Sequence, residues 1–184
     1  LTFGDKGVVA VDLEAGGYAT DVVALADGSI ILALQTEYFQ RGKLLRLRQD
    51  GSLDESFQRS TESLGIRSTP IRLVSDGDSG VLVVGRATDD TIVVSRTDGV
   101  GDLDPTFGNG GRLTLEGDWS WWGLFGAPPV VGRDSEGRLL IASFAPGGDG
   151  PARVTRMTSI GAVDESFGAG GHATFEATFP DSNG

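Results

Sequence analysis

The sequence contains no cysteine, a single histidine and a single methionine among its 184 residues. Without cysteine the chain forms no disulfide, thiolate metal site or cysteine nucleophile, although any cellular compartment is compatible with that absence. No apolar run reaches the roughly 18 residues that a membrane-spanning helix needs. Cationic residues are also scarce, because 15 Lys and Arg face 26 Asp and Glu for a net charge of −11. We therefore expect neither nucleic-acid binding nor attachment to an anionic lipid surface.

Glycine, in contrast, is abundant. The 29 glycines stand singly or in pairs between short apolar runs, which indicates many turns rather than one flexible tract. With 39% hydrophobic and 22% charged residues the composition is that of a globular protein. The length predicts a single domain over residues 1–184.

One phrase occurs three times: RLRQDGSLDESF, RTDGVGDLDPTF and RMTSIGAVDESF. Its pattern is R-x4-G-x-[LV]-D-[EP]-[ST]-F, and Phe3 ends a partial copy at the start of the chain. Self-similarity at a period of 50 to 60 residues is the signature of a repeat architecture. We place the repeats at about 3–56, 57–106 and 107–166, with a further repeat beginning in 167–184. The members of the phrase are Arg46, Asp54 and Phe57; Arg96, Asp104 and Phe107; and Arg156, Asp164 and Phe167.

Each repeat contains four runs of strand length separated by turn residues, and no segment has sustained helical periodicity. In the first repeat the runs are 7–13, 19–26, 29–36 and 42–49; in the third they are 111–116, 127–132, 138–144 and 152–158. The final run, HATFEATF, alternates as a half-buried strand does. The pattern predicts an all-β, propeller-type array of about three four-stranded antiparallel blades plus one extra strand.

The phrase itself predicts a structural unit. Its glycine suits a turn position with positive φ, its aspartate can accept backbone N–H bonds, and its phenylalanine can fill the space between blades. A strand and a turn bring the arginine near the aspartate. We therefore expect the pairs Arg46–Asp54, Arg96–Asp104 and Arg156–Asp164, or else each member bonded to the same turn backbone.

The segments DPTFGNGGRLTL at 104–115, DESFGAGG at 164–171 and DGSLDESF at 50–57 resemble the bacterial delta-60 repeat. The resemblance covers essentially the whole chain and implies propeller-like arrays in secreted or cell-surface bacterial proteins. Repeat two departs from the family pattern, because QRSTESLGIR follows Phe57 in place of G-x-G-G. The family implies no catalytic activity that can be assigned to residues of this chain.

Three blades do not close a ring by themselves. The chain opens at Leu1 without an initiator methionine or signal peptide, so we expect a mature, trimmed or excerpted piece. Either it is part of a longer propeller, or copies self-associate, or the last strand pairs with a neighbour.

Catalytic and metal motifs are weak. GDSG at 77–80 is similar to the nucleophile segment of trypsin-like proteases, but it coincides with a repeated hairpin turn, and the single histidine, His172, is on the last strand. Asp76 and Asp78 lack the further ligands of a calcium loop. A single histidine without any cysteine does not provide the ligands of a zinc site. Paired carboxylates for glycoside hydrolysis stay open, since they need not be close in sequence. We predict no cofactor, no metal and no enzyme activity.

The segment GDWSWWGLFGAPP at 117–129 lengthens repeat three and holds every tryptophan of the chain. Aromatic clusters on loops are typical of recognition surfaces for sugars or proteins, although large aromatics also pack against blade ends. Both interpretations stay open here. The candidate binding residues are Trp119, Trp121, Trp122 and Phe125.

These observations predict a non-enzymatic module of a secreted or cell-surface bacterial protein that presents blades for assembly or for a protein partner. The competing prediction is a lectin-like carbohydrate-binding propeller module that uses the tryptophan loop. A hydrolase with dispersed carboxylates is the third class.

Overall fold

The computed structural model describes residues 3–12, 17–36, 41–57, 59–77, 80–87, 91–115, 130–144 and 152–175. Their regular structure is twelve β-strands and one short 3-10 helix at Thr61–Leu64. The strands form three antiparallel sheets of four, which confirms the predicted all-β fold class. Two compact units contain them, Leu1–Leu115 with two sheets and Glu116–Gly184 with one.

Sheet 1 has the order β1-β2-β3-β4 and lies in the first unit. Its strands are β1 (Tyr18–Ala24), β2 (Ile30–Thr36), β3 (Arg41–Leu47) and the two-residue β4 (Arg59–Ser60). The 3-10 helix follows β4 at the place where the other two phrases continue with G-x-G-G: Ser60 accepts a hydrogen bond from Glu62 N, and Gly65 ends the helix with φ of 81°.

Sheet 2 follows in the same unit with the order β5-β6-β7-β8. Its strands are β5 (Ser68–Asp76), β6 (Gly80–Arg86), β7 (Ile92–Thr97) and β8 (Arg112–Leu115). β6 is buried from Val81 to Gly85, because successive side chains point to opposite faces and both faces are covered.

Sheet 3 forms the second unit with the order β12-β11-β10-β9. Its strands are β9 (Val130–Arg133), β10 (Leu139–Phe144), β11 (Ala152–Met157) and β12 (His172–Phe175). Leu139, Ile141 and Met157 are its buried apolar side chains among the described residues.

The sequence repeat and the sheet are out of phase by one strand. The run predicted at 7–13 is not a strand over its described residues, where Val8 makes one bridge to Asp5. The described part of HATFEATF is the fourth strand of sheet 3 rather than a strand apart. Its alternation does not hold either, since Thr174 and Phe175 are both exposed. Each sheet thus takes three strands from one repeat and its fourth strand from the next.

Candidate functional site

The repeated phrase builds the same turn three times, directly after the third strand of each sheet. The amide of the aspartate donates to the carbonyl of the arginine at 2.8–2.9 Å, and the amide of the phenylalanine donates to the carbonyl of the aspartate at 2.9–3.1 Å. The glycine of each turn has φ between 78° and 88°, as the sequence predicts. We call the side chains held by these turns clusters 1, 2 and 3: Arg46, Asp54 and Phe57; Arg96, Asp104 and Phe107; Arg156, Asp164 and Phe167.

A hydroxyl group locks each aspartate. In cluster 2, Asp104 Oδ1 accepts from the backbone N of Thr106 at 2.9 Å and from its Oγ1 at 2.7 Å. Ser56 and Ser166 make the same two bonds in clusters 1 and 3. This role of the [ST] position went unrecognised in the sequence, although its signal was there, since each phrase carries a hydroxyl residue two positions after the aspartate.

Each arginine lies over the phenylalanine ring of its own cluster. The distance from the guanidinium carbon to the ring centroid is 5.8 Å in cluster 1, 5.0 Å in cluster 2 and 4.7 Å in cluster 3. These distances are within the range of a cation–π interaction. The arginine thereby connects the strand with the end of the turn that follows it.

Two of the three expected ion pairs are formed: Arg96–Asp104 at 2.9 Å and Arg156–Asp164 at 2.8 Å. The expected Arg46–Asp54 pair is wrong. Arg46 bonds Asp27 instead, and Asp54 bonds Arg48 at 2.9 Å. The reason is that only the first phrase has an arginine two residues after the strand arginine, and this second guanidinium takes the carboxylate.

The cluster carboxylates are held ionised. The pKa of Asp104 is lowered by the Thr106 hydroxyl above all and by Arg96. The pKa of Asp54 and the pKa of Asp164 are lowered mainly by Ser56 and Ser166. A general acid of a glycosidase needs the opposite shift, toward a protonated carboxyl group at neutral pH. The clusters therefore suit a structural role and not proton donation.

Cluster 1 also joins sheet 1 to sheet 2 within the first unit. Arg46 Nη1 donates to the carbonyl of Gly99 at 2.6 Å, and Arg59 Nε donates to Asp102 Oδ1 at 3.2 Å. Gly101 lies in the sequence between the two acceptors, Gly99 and Asp102. A Cβ on Gly101 would lie 2.8 Å from Cε2 of Phe57. The turn of sheet 2 thus rests on the phenylalanine ring of cluster 1, which fills the space between two sheets as predicted.

The three phenylalanines differ in burial. Phe57 and Phe107 are each 1% exposed, and Phe57 belongs to the apolar core of the first unit with Leu44 and Ile71. Phe167 is only half-buried.

The other sequence candidates fall as follows. Trp119, Trp121, Trp122 and Phe125, with the whole segment 117–129, lie outside the described residues, as do Asp78 and Ser79 of the GDSG match. Asp76, which precedes the match, is paired across β5 and β6 with Gly80, the last residue of the match, as expected of a hairpin.

His172 lies at the start of β12, where its Nδ1 is 3.0 Å from Thr155 Oγ1. Burial lowers the pKa of His172, and the charge of Arg153 lowers it further. No group of three or more His, Asp or Glu side chains within the described ranges could hold a metal ion. No helix in the described part of the chain is long and apolar enough to cross a membrane.

No family model matches the sequence, and no curated protein matches it. Among solved structures, the chain is similar to the crystal structure of a GH43_1 enzyme from Xanthomonas citri, with a TM-score of 0.45 and 14% identity. The match covers 86% of this chain and 56% of that chain, so this chain spans a little over half the length of the matched structure. The matched protein is an enzyme by its title, and this finding contradicts the prediction of a structural module for assembly or partner binding, whereas the absence of enzyme activity stays a prediction.

Proposed function

We propose that this chain is a carbohydrate-directed module that binds neutral polysaccharide at exposed aromatic side chains of its sheets. The observation that carries the proposal is that cationic and aromatic side chains differ in whether they are available to a ligand. Nine arginines of the described residues have guanidinium groups bonded within the chain, whereas the aromatic rings of Tyr18 and Phe175 lie at the surface. The bonded groups belong to Arg46, Arg48, Arg59, Arg72, Arg96, Arg112, Arg133, Arg138 and Arg156.

Charge decides the class of ligand. A phosphate, sulfate or uronate polymer needs arginine or lysine side chains that can turn toward it. The arginines above already serve carboxylates and backbone carbonyls, and the chain has a net charge of −11. An anionic polymer would therefore meet a repulsive surface, whereas a neutral polysaccharide would not.

The exposed aromatic side chains supply an apolar contact for such a ligand. Phe175 on β12 is 55% exposed, and Tyr18 at the start of β1 is 46% exposed. Phenylalanine is more often buried, so an exposed ring on a regular strand favours a contact role. The flat ring can lie against the C–H face of a sugar while polar groups of the sheet bond its hydroxyls.

The test is native affinity electrophoresis in gels containing a neutral polysaccharide panel (arabinan, xylan, mixed-linkage glucan) or anionic pectin. We expect retardation by at least one neutral polymer and none by pectin. Phe175→Ala should weaken the retardation several-fold. Val130→Ala is the matched control, because Val130 is a non-aromatic side chain of the same sheet with 67% exposure.

Retardation by pectin alone, or equal loss in Phe175→Ala and Val130→Ala, would overturn the proposal. A reducing-sugar assay on the same panel separates binding from turnover. The lowered pKa of the cluster carboxylates argues that these groups do not act as the acid catalyst.

We further infer membership of the delta-60 repeat family and, with it, an extracellular or cell-surface location. The support is that three phrases of different sequence build one backbone turn with one hydroxyl lock. Export of the natural polypeptide, tested by fractionating cells that express it, checks the location.

A further inference from the structure

The loop that leads into β8 presents an asparagine followed by a glycine, at Asn109 and Gly110. Both residues are exposed, and Gly110 has φ of 59°. A Cβ built on Gly110 would meet nothing within 4 Å, so the space around this peptide is open. An asparagine side chain next to an unhindered glycine nitrogen is the arrangement that favours attack of that nitrogen on the side-chain amide.

The hydrogen bonds of the loop leave that nitrogen accessible. The amides on either side are held, Asn109 N by the carbonyl of Arg112 at 2.7 Å and Gly111 N by the carbonyl of Phe107 at 2.8 Å. The amide of Gly110 donates no hydrogen bond among the described residues. In the Asp-Gly turn at Asp50, by comparison, Gly51 N donates to Arg48 O at 2.8 Å.

We propose that Asn109 is a site of spontaneous deamidation in the folded protein. The Gly110 nitrogen gives its proton to hydroxide and bonds to Cγ of Asn109. The bond from Cγ to the side-chain nitrogen breaks, and that nitrogen leaves as ammonia after taking a proton from water. Water then opens the five-membered succinimide at either carbonyl, which gives aspartate or isoaspartate at position 109.

The two products have different structural consequences. Aspartate fits, because Asp5 stands at the equivalent position of the loop at residues 3–7, where Gly7 N donates to Phe3 O at 2.9 Å in the same way. Isoaspartate carries the main chain through the side-chain carbon and adds one atom to the loop. The bonds from Asn109 N and Gly111 N then no longer align, and neither does the bond from Arg96 N to Gly111 O that holds the loop beside β7. The modification therefore loosens the start of β8 as the protein ages.

The experiment is peptide mapping of the intact 184-residue protein after incubation at mildly alkaline pH. Tryptic cleavage after Arg96 and Arg112 releases residues 97–112, in which Asn109 is the one asparagine. We expect a growing fraction with NH2 replaced by OH, together with isoaspartate that an isoaspartyl methyltransferase labels. The isolated synthetic peptide 97–112 serves as the unfolded reference.

Asn109→Ala is the matched control, because Ala169 occupies the equivalent position of the loop at residues 167–171, so the variant should fold. It should show no replacement of NH2 by OH in this peptide, where Asp98-Gly99 can still be labelled, and a smaller loss of melting temperature on ageing than the wild type. A folded protein that leaves Asn109 intact while the free peptide converts would overturn the proposal. So would an equal loss of melting temperature in the aged wild type and the aged Asn109→Ala protein.

Discussion

Within the repeated phrase, the aspartate holds the turn and the arginine adapts to its surroundings. Each aspartate makes the same two bonds to the following Ser or Thr in all three clusters. The arginines keep the phenylalanine ring but change their carboxylate, since Arg46 bonds Asp27 where Arg96 bonds Asp104. A carboxylate that caps two donors in its own turn is fixed locally, whereas a long cationic side chain reaches whichever acid is free.

Asp164→Ala should therefore lower the melting temperature by a few degrees, because it removes the hydroxyl lock and the Arg156 pair together. The matched control is Glu165→Ala, which removes the same charge from the adjacent exposed position. Thermal unfolding followed by circular dichroism compares the two. Equal melting temperatures would contradict the structural role of cluster 3.

Acid should destabilise the fold through these carboxylates. The folded-state pKa of Asp104 is lowered, so the folded state releases a proton that the unfolded chain still binds near pH 4. The stabilisation is complete above the unfolded pKa of about 3.9 and is lost as the pH falls through the folded pKa. As the pH is lowered from 7 to 2, the urea midpoint of the wild type should decrease over that window. The midpoint of Asp104→Asn should decrease less steeply.

His172 should add a separate step at higher pH. Its folded-state pKa lies below the usual value near 6.5 because of burial and the Arg153 charge, so protonation opposes folding. Stability should fall as the pH drops from about 6.5 through the folded pKa, and His172→Gln should abolish this step alone. A midpoint that rises on acidification over this range would contradict the assignment.

At the scale of elements, the turn of sheet 2 against Phe57 is the contact most sensitive to added volume. Gly101 and Gly77 both have positive φ, at 88° and 67°, so alanine strains the backbone at each. A Cβ at Gly101 would also lie 2.8 Å from the Phe57 ring, whereas at Gly77 it would meet nothing. We expect Gly101→Ala to reduce the free energy of unfolding by about 1–3 kcal/mol more than Gly77→Ala. Urea unfolding of the two variants measures the difference, and equal losses would exclude the packing contribution.

The strands were largely predictable because apolar runs between turn residues have few alternatives. The runs at 19–26, 29–36 and 42–49 correspond to β1, β2 and β3 within two residues at each end. The run at 7–13 is also rich in apolar residues, yet it is not a strand over its described residues. Composition gives an apolar run the capacity to pair, but pairing also needs a neighbour, and a single sequence does not say which strand is beside which.

For the clusters too, the sequence predicted local conformation but not which residues are neighbours in space. The positive φ of Gly51, Gly101 and Gly161 followed from the local sequence, because a turn position has local requirements. The partner of Arg46 did not, since Asp27 is in a different turn and the competitor Arg48 looked like any exposed charge. Tertiary neighbours decide long side chains, and these are the residues at which the prediction failed.

At the scale of the whole molecule, the core is unevenly distributed. The apolar cluster around Phe57, Leu44, Ile71 and Val83 lies in the first unit, and β6 is its most continuously buried strand. Amides of β6 should therefore exchange with deuterium more slowly than those of β10, the corresponding strand of sheet 3. Hydrogen-exchange mass spectrometry checks this, and faster exchange in β6 than in β10 would contradict the uneven core.

The one-strand offset between repeat and sheet has a consequence for how the gene can gain or lose repeats. A tandem duplication of DNA that ends at the repeated phrase copies the last strand of one sheet together with the first three strands of the next. A newly duplicated repeat therefore shares a sheet with the repeat before it as soon as the protein is made. A later deletion is tolerated when it removes a whole number of repeats. Recombination in such a gene should change its length in steps of one repeat, even though no single sheet is encoded by a single repeat.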